Sequence, residues 1–530
     1  MSQQKLEKIC DRVKQGEKYD ALARDIDGLL IRTQRSPENI DRLTAAISDS
    51  DTARIWQSLW DDSPQQRWDI ASTGGAGNLI PIFGYLWLKV AAEQAKLGDR
   101  YAKVVPKIAT EETDSGLMDI LASGGFAFPF DATAIQRECL QYGGVICQPD
   151  SAIAPIERAL MQRCRETNLT ADFSVTYASI LSRQIATRCT HAIVDVKLGR
   201  ETKMLSPWMF SPQNELNEVK VDDFLTACQN IGDGNERSLV ITDEKYLQAF
   251  VAVLQRLGVA AKADGDWVTQ DCQANSTELY PLQEVRWLLV NGNLPQGRAI
   301  GRQLTLLHMD ELIAGDRDLL LMCEGDNEYK RLYRQVLPQI CGCQLENTDA
   351  TWQDLQEQWQ ILKSRLPKLN DFSAKKYLEF SAKNHLDRQD SGLARSYSDP
   401  PELEKSHSLQ PDLEAISFGF YPYHWQVSEC PAKIKTASLP FLAELFTWLC
   451  GSDPFDSEVG IWLHKLPGEE VQPPSDERAA EQRYLEICQI WQQPFLSIFY
   501  RPSRCKRSQV AAKARQFISN IELEAIAGIN

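Results

Sequence analysis

Residues 67–95 read RWDIASTGGAGNLIPIFGYLWLKVAAEQA. A short apolar run, a turn rich in Ser, Thr, Gly and Asn, and an apolar segment at helical spacing predict a strand, a tight turn and a buried helix, the opening unit of an α/β domain. The turn itself, Ser72 to Asn78, suits an anion. Gly74, Gly75 and Gly77 let the backbone approach a ligand without a Cβ, successive N–H groups point inward, and the start of the following helix adds positive potential. Ser72 and Thr73 offer hydroxyl donors, so phosphate is the natural guest, although the same pattern also serves as a plain structural turn.

Working outward, residues 1–66 carry helical periodicity (LEKICDRV, YDALARDIDGLLIRT, and a Ser36-Pro37-Glu38-Asn39 start signal before IDRLTAAI) and form the first part of a small helical domain. Residues 67–153 open the α/β domain, and YAKVVPKIA, GLMDILASGG, FDATAIQRECLQYGGVICQ, HAIVDVKLG and RSLVITD continue it with apolar runs suited to buried strands of a mostly parallel or mixed sheet. Residues 154–190 return to helical texture as a second part of the helical domain, and 191–365 resume the α/β domain. Residues 366–411, polar and rich in Ser, Asp, Lys and Pro, read as a linker. Residues 412–530 form a C-terminal α+β module with strand-like ISFGFYPYHWQV, GIWLHKL and LSIFYRP. The expected fold class is therefore α/β: a small discontinuous helical domain, a larger mixed-sheet domain, and an added C-terminal module.

Composition narrows the function. A 530-residue chain that is 43% apolar and 25% charged is globular, and its net charge of −16 argues against broad attachment to nucleic acid or anionic membranes, which starts from a positive surface field. The six basic residues between Arg501 and Arg515 are too few to change that. The N-terminus lacks the apolar core of a secretory signal, and the run Leu79 to Ala92, broken by Pro81 and Lys89, falls short of the roughly 20 residues of a bilayer span, so a cytoplasmic protein is expected. Fourteen cysteines and six histidines show no zinc-type spacing, and C-x-C at Cys341 and Cys343 is weak evidence by itself; no metal site is expected.

The Ser72–Asn78 turn resembles the D-K-H-S-T-G-G-x-G-D signature of the thymidine and pyrimidine-nucleoside phosphorylases, and further likenesses follow in the family's order. VPKIATEETDSGLMDILASGGF resembles a shortened second phosphate loop, contributing Ser115. ERALMQRCRETNLTADFSVTYASILSRQIA resembles the base-binding helices, and HAIVDVKLGRETKM the strand with a D-V-K-x-G pattern. LQEVRWLLVNGN followed by GRQLTLLHMDELIAG resembles the helical region downstream, so the likeness runs over most of residues 20–335.

The resemblance implies a pentosyltransferase, a glycosyltransferase of pyrimidine metabolism, in which phosphate attacks C1′ of a nucleoside as the base departs. Phosphate would lie against Ser72, Thr73, Gly74, Gly75, Gly77, Asn78 and Ser115, and the base against Arg165, Ser179 and Arg183, with Lys197 as a further ligand beside Asp195. A dimer through the helical domain is implied too, with phosphate as co-substrate and no resident cofactor.

The departures from the pattern fall on the anion side. Ile70 and Ala71 stand where the family has Lys and His, so the catalytic residues are not assigned. Asn78 replaces the terminal Asp, and Glu111, Glu112 and Asp114 make the second loop acidic, which would repel phosphate. Three readings therefore stand together: a nucleoside phosphorylase; a pseudoenzyme that binds a nucleoside-like ligand or a protein partner; and a phosphoribosyltransferase whose acidic loop holds Mg²⁺ on a diphosphate, as in the related anthranilate phosphoribosyltransferases.

Overall fold

The computed structural model describes residues 66–369 except 74–77, 97–101, 105–106, 109–115, 130, 149–172, 199–238, 242, 257–258, 273–280, 293–295, 298, 315–328, 330, 346–347 and, further on, 414–418, 460–463, 496–500, 506 and 509. The first helical unit and the linker expected at 366–411 lie almost wholly outside the described residues.

Strand β1 (Gln66–Ala71) leads to helix α1 (Ile80–Lys96), followed by β2 (Ala102–Val104), β3 (Lys107–Ile108), α2 (Leu117–Ser123), α3 (Ala132–Tyr142), β4 (Ile146–Cys147) and α4 (Phe173–Ala186). Then come β5 (His191–Leu198), α5 (Glu244–Arg256), β6 (Ala260–Asp264), β7 (Trp267–Asp271), β8 (Glu284–Asn291), β9 (Ala299–Ile300) and α6 (Arg302–Ala314). A π-helical turn, Leu332–Val336, runs into α7 (Leu337–Ile340) and α8 (Thr348–Lys363), and β10 (Glu414–Phe418), β11 (Gly460–Leu463) and β12 (Leu496–Tyr500) close the series.

The central sheet has the order β2-β1-β5-β8-β7-β6. The first four strands are parallel, while β7 and β6 run antiparallel at one edge, giving the mixed α/β sheet that the apolar runs predict. Strand β5 sits near the middle and buries all eight residues, because a parallel strand covered on both faces has no water-facing side. Helix α1 lies against β1 and α8. Ile82, Phe83, Leu86, Trp87 and Val90 join Trp68, Ile70 and Ile193 from the sheet and Leu355 and Trp359 from α8 in one core. The polar ends of the core tryptophans are satisfied: the Trp87 indole donates to the Tyr333 carbonyl at 2.8 Å, and that of Trp359 to Asp310 at 2.7 Å.

Three expectations are corrected. LQEVRWLLVNGN, which resembles a helical region, is strand β8, paired residue for residue with β5 from His191–Glu284 to Leu198–Asn291. Its run Trp287, Leu288, Leu289 and Val290 is buried on both faces, and a continuous apolar run of that length suits a central strand better than an amphipathic helix. In GLMDILASGG the stretch Leu117–Ser123 is helical, its buried Leu117, Ile120 and Leu121 falling at spacings of three and four. Among the described residues of RSLVITD, Val240 makes a single antiparallel bridge to Val290 in place of a strand.

The C-terminal segments at 414–418, 460–463 and 496–500 are strands as expected. They form a second sheet, β10-β12-β11-β9, whose last member, β9, belongs to the stretch before the linker.

Near the amino ends of β1 and β5, His191 stacks on Trp68 with ring centroids 4.6 Å apart, and the Arg286 guanidinium lies over the Trp68 ring at 4.6 Å. Burial, assisted by Arg286 and Arg67 and opposed by Glu284, lowers the His191 pKa from 6.5 to about 4. The fold therefore prefers the neutral ring. Stability should be complete above pH 6.5, decline as pH falls through the window to 4, and level off below it, a loss of about 3 kcal/mol from this residue. Urea midpoints measured across that window should show the decline, and His191→Phe, which keeps the stack and cannot take up a proton, should flatten it.

Candidate functional site

In an open α/β sheet, ligands settle outside the carboxyl ends of the strands where the winding direction reverses. Here the chain leaves β1 through α1 to β2 on one side, while β5 lies on the other side of β1. The reversal therefore falls between β1 and β5, at the start of the turn that begins with Ser72.

Two polar clusters meet there. The first centres on Asp195, which is fully buried at 0% exposure. Its Oδ2 accepts a hydrogen bond from Ser72 Oγ at 2.8 Å, and its Oδ1 accepts from the Thr73 N–H at 2.7 Å and from Thr73 Oγ1 at 3.3 Å. The Lys197 ammonium, two residues along β5 on the same face, stands 3.9 Å from Oδ2. Asn78 is buried, donates from Nδ2 to Ser72 Oγ, and accepts the Ile80 N–H at 3.1 Å, so its carboxamide both ties down the turn and caps the first turn of α1.

The second cluster centres on Lys107, a buried lysine of β3. Its Nζ donates to the Ile70 carbonyl and lies 3.4 Å from Asp69 Oδ1, and Gln184 of α4 reaches the other Asp69 oxygen at 3.4 Å. Burial lowers the Lys107 pKa from its ordinary value, Asp69 pulls it back up, and the Arg183 charge adds to the lowering. Ser179 and Arg183 share a face of α4, as their four-residue spacing predicts, and Arg183 Nε donates to the Ser179 carbonyl at 3.1 Å.

Strand alternation separates the two clusters. Ile70 points at α1, where a Cβ on Gly84 would collide with Ile70 Cδ1. Asp69, one residue earlier, faces α4. Asp195 shares the α1 face, since His191 stacks on Trp68 and every second residue from each repeats that orientation. Of the residues expected to hold phosphate, Ser72, Thr73 and Asn78 thus gather with the further ligand Lys197 round Asp195 on one face, and the base-side residues Ser179 and Arg183 gather near Lys107 and Asp69 on the other. Gly74, Gly75, Gly77, Ser115 and Arg165 lie outside the described residues, as do Glu111, Glu112 and Asp114.

Two residues escaped the sequence reading in these roles. Asp195 reads there only as a partner of Lys197, yet it takes the hydroxyls assigned to phosphate. Lys107 was missed, although a lysine inside an apolar strand of an acidic chain is itself a signal. Among the described residues no cluster of His, Cys, Asp or Glu side chains is arranged to hold a metal ion, and no helix is long and apolar enough to cross a membrane. Cys341 and Cys343 are buried and donate to the α1 carbonyls of Gly84 and Trp87.

No protein-family model matches the sequence. Among solved structures the chain is similar to the anthranilate phosphoribosyltransferase of Thermus thermophilus, at 12% identity and a TM-score of 0.34 over 70% of this chain and 96% of that one.

Asp195→Ala should destabilise the protein by about 2 kcal/mol, because it removes the acceptor of the half-buried Ser72 and Thr73 donors and the carboxylate beside the buried Lys197. Asp195→Asn keeps one acceptor for the Thr73 N–H and should cost less; chemical denaturation of both variants separates the two. Restoring the resembling family's residue with Ile70→Lys should bury an amine against α1, cost roughly 3 kcal/mol or more, and leave phosphate affinity unchanged in a calorimetric titration, because the side chain faces the core.

Proposed function

We propose that the protein is a cytoplasmic pentosyltransferase that exchanges a ribosyl or deoxyribosyl group between a pyrimidine base and phosphate, and that it works as a homodimer. The observation carrying this reading is the chemistry at the β1–β5 reversal, where Ser72, Thr73 and Lys197 converge on the Asp195 carboxylate. A phosphate that displaces Asp195 from this turn gains hydroxyls, a backbone N–H and an ammonium group, which are the donors an anion requires. In the reaction a phosphate oxygen bonds to C1′ while the bond from C1′ to nitrogen breaks, and the base leaves with that electron pair and takes up a proton. The protein's part is to position the anion and to exclude water from the cationic sugar. The order of the likenesses over residues 20–335 supports the same class.

One observation favours a second reading, in which the site binds a nucleoside-like ligand without turnover. The donors of Ser72 and Thr73 are already satisfied by Asp195, so phosphate must displace a buried carboxylate to use them. Incubation with uridine or thymidine separates the readings. Release of free base that depends on phosphate is the expected result; nucleoside binding with no release in any buffer would give preference to the second reading. Magnesium-dependent pyrophosphate release from phosphoribosyl diphosphate would replace both with a phosphoribosyltransferase.

A further inference from the structure

Gln296 follows β8, on the same carboxyl-end side of the sheet as Ser72 and Asp195. Gln296 is only 2% exposed, and among the described residues neither its Nε2 nor its Oε1 has a hydrogen-bond partner. A buried carboxamide with both atoms open is costly, and such groups in native proteins call for an explanation. Its backbone, by contrast, is held firmly. The Tyr333 hydroxyl donates to the Gln296 carbonyl, and Tyr333 stacks on Phe83 of α1 with centroids 4.2 Å apart. Burial, then Tyr329, then the Asp195 carboxylate keep that phenol protonated, and its stack on Phe83 ties Gln296 to α1, the helix whose start is joined to Ser72 through Asn78.

We infer that Gln296 reads the pentose of the ligand, pairing its open amide donor and acceptor with the two adjacent hydroxyls of a ribose. This rests on the pentosyl reading above. Each ribose hydroxyl can donate one hydrogen bond and accept another, which complements a carboxamide whose N–H and C=O are both free. A carboxamide is also neutral, so it adds no charge that would compete with Lys197 for the anion. The base edge is a poorer match, because the base-side residues Ser179 and Arg183 lie on the opposite face of the sheet. The site therefore prefers ribonucleosides: with a deoxyribose one of the two buried amide atoms stays unpaired, and a site built around a hydroxyl discriminates against a ligand lacking it.

The test is calorimetric titration of the full chain with uridine and with 2′-deoxyuridine, each with and without inorganic phosphate, for the natural protein and for Gln296→Met. The natural protein should bind uridine roughly tenfold more tightly than 2′-deoxyuridine. In the Met variant that preference should vanish, while its melting temperature equals or exceeds that of the natural protein, since an unpaired buried amide has been replaced by an apolar chain of similar volume. Equal affinity of the natural protein for the two nucleosides overturns the assignment of Gln296 and leaves the pentosyl reading standing. Failure to bind either nucleoside overturns both. A Met variant that melts well below the natural protein makes Gln296 a structural support and likewise overturns the inference.

Discussion

A carboxylate with no exposure to water has to find its hydrogen bonds inside the protein, and Asp195 finds them on the first residues of the turn after β1. That requirement joins the carboxyl ends of β1 and β5 at the place where the sheet reverses its winding. It also fixes where α1 begins, because Ser72 accepts from Asn78, and Asn78 caps the helix whose Phe83 and Trp87 fill the core. The geometry of the candidate site and the packing of α1, the longest helix among the described residues, against the sheet thus share one origin.

The distribution of charge follows a similar economy. The chain is strongly acidic, yet lysines 107 and 197 are buried at the parallel strand ends, each beside an aspartate. Each aspartate offsets the charge of its lysine, so two nearly neutral pairs are buried, one on each face of the sheet.

Much of the fold was legible in local pattern. HAIVDVKL carries the continuous run Ala192–Val194 with Val196 and Leu198 beyond it, and a doubly covered parallel strand is the structure that suits such a run. The stretch RWDIASTGGAGNLIPIFGYLWLKV announced its strand and helix through turn residues and a change of period. Reading failed where a short apolar run suits either a buried helix or a buried strand, as in EVRWLLVN, because the neighbours decide, and its parallel partner β5 is distant in sequence. The site was legible as residue types but not as partnerships. Ser72 and Thr73 look like anion donors from their own sequence, and nothing local says that a carboxylate more than a hundred residues later occupies them. Lys107 escaped because its importance comes from Asp69 and Ile70, on a strand that is not its neighbour in the chain.

The short strand β9 leaves one more constraint on the molecule. Its two residues pair with Trp462 and Ile461 of β11, so an edge formed by Ala299 and Ile300 remains open until the far part of the chain has been synthesised. Every earlier strand of the central sheet finds its partners before residue 292. On the ribosome, the main sheet can close well ahead of the second one, and the nascent chain then carries an unpaired strand edge through the translation of all the intervening codons. Exposed edges of this kind recruit foreign strands, so the passage from residue 300 to residue 461 is an interval in which β9 is open to mispairing.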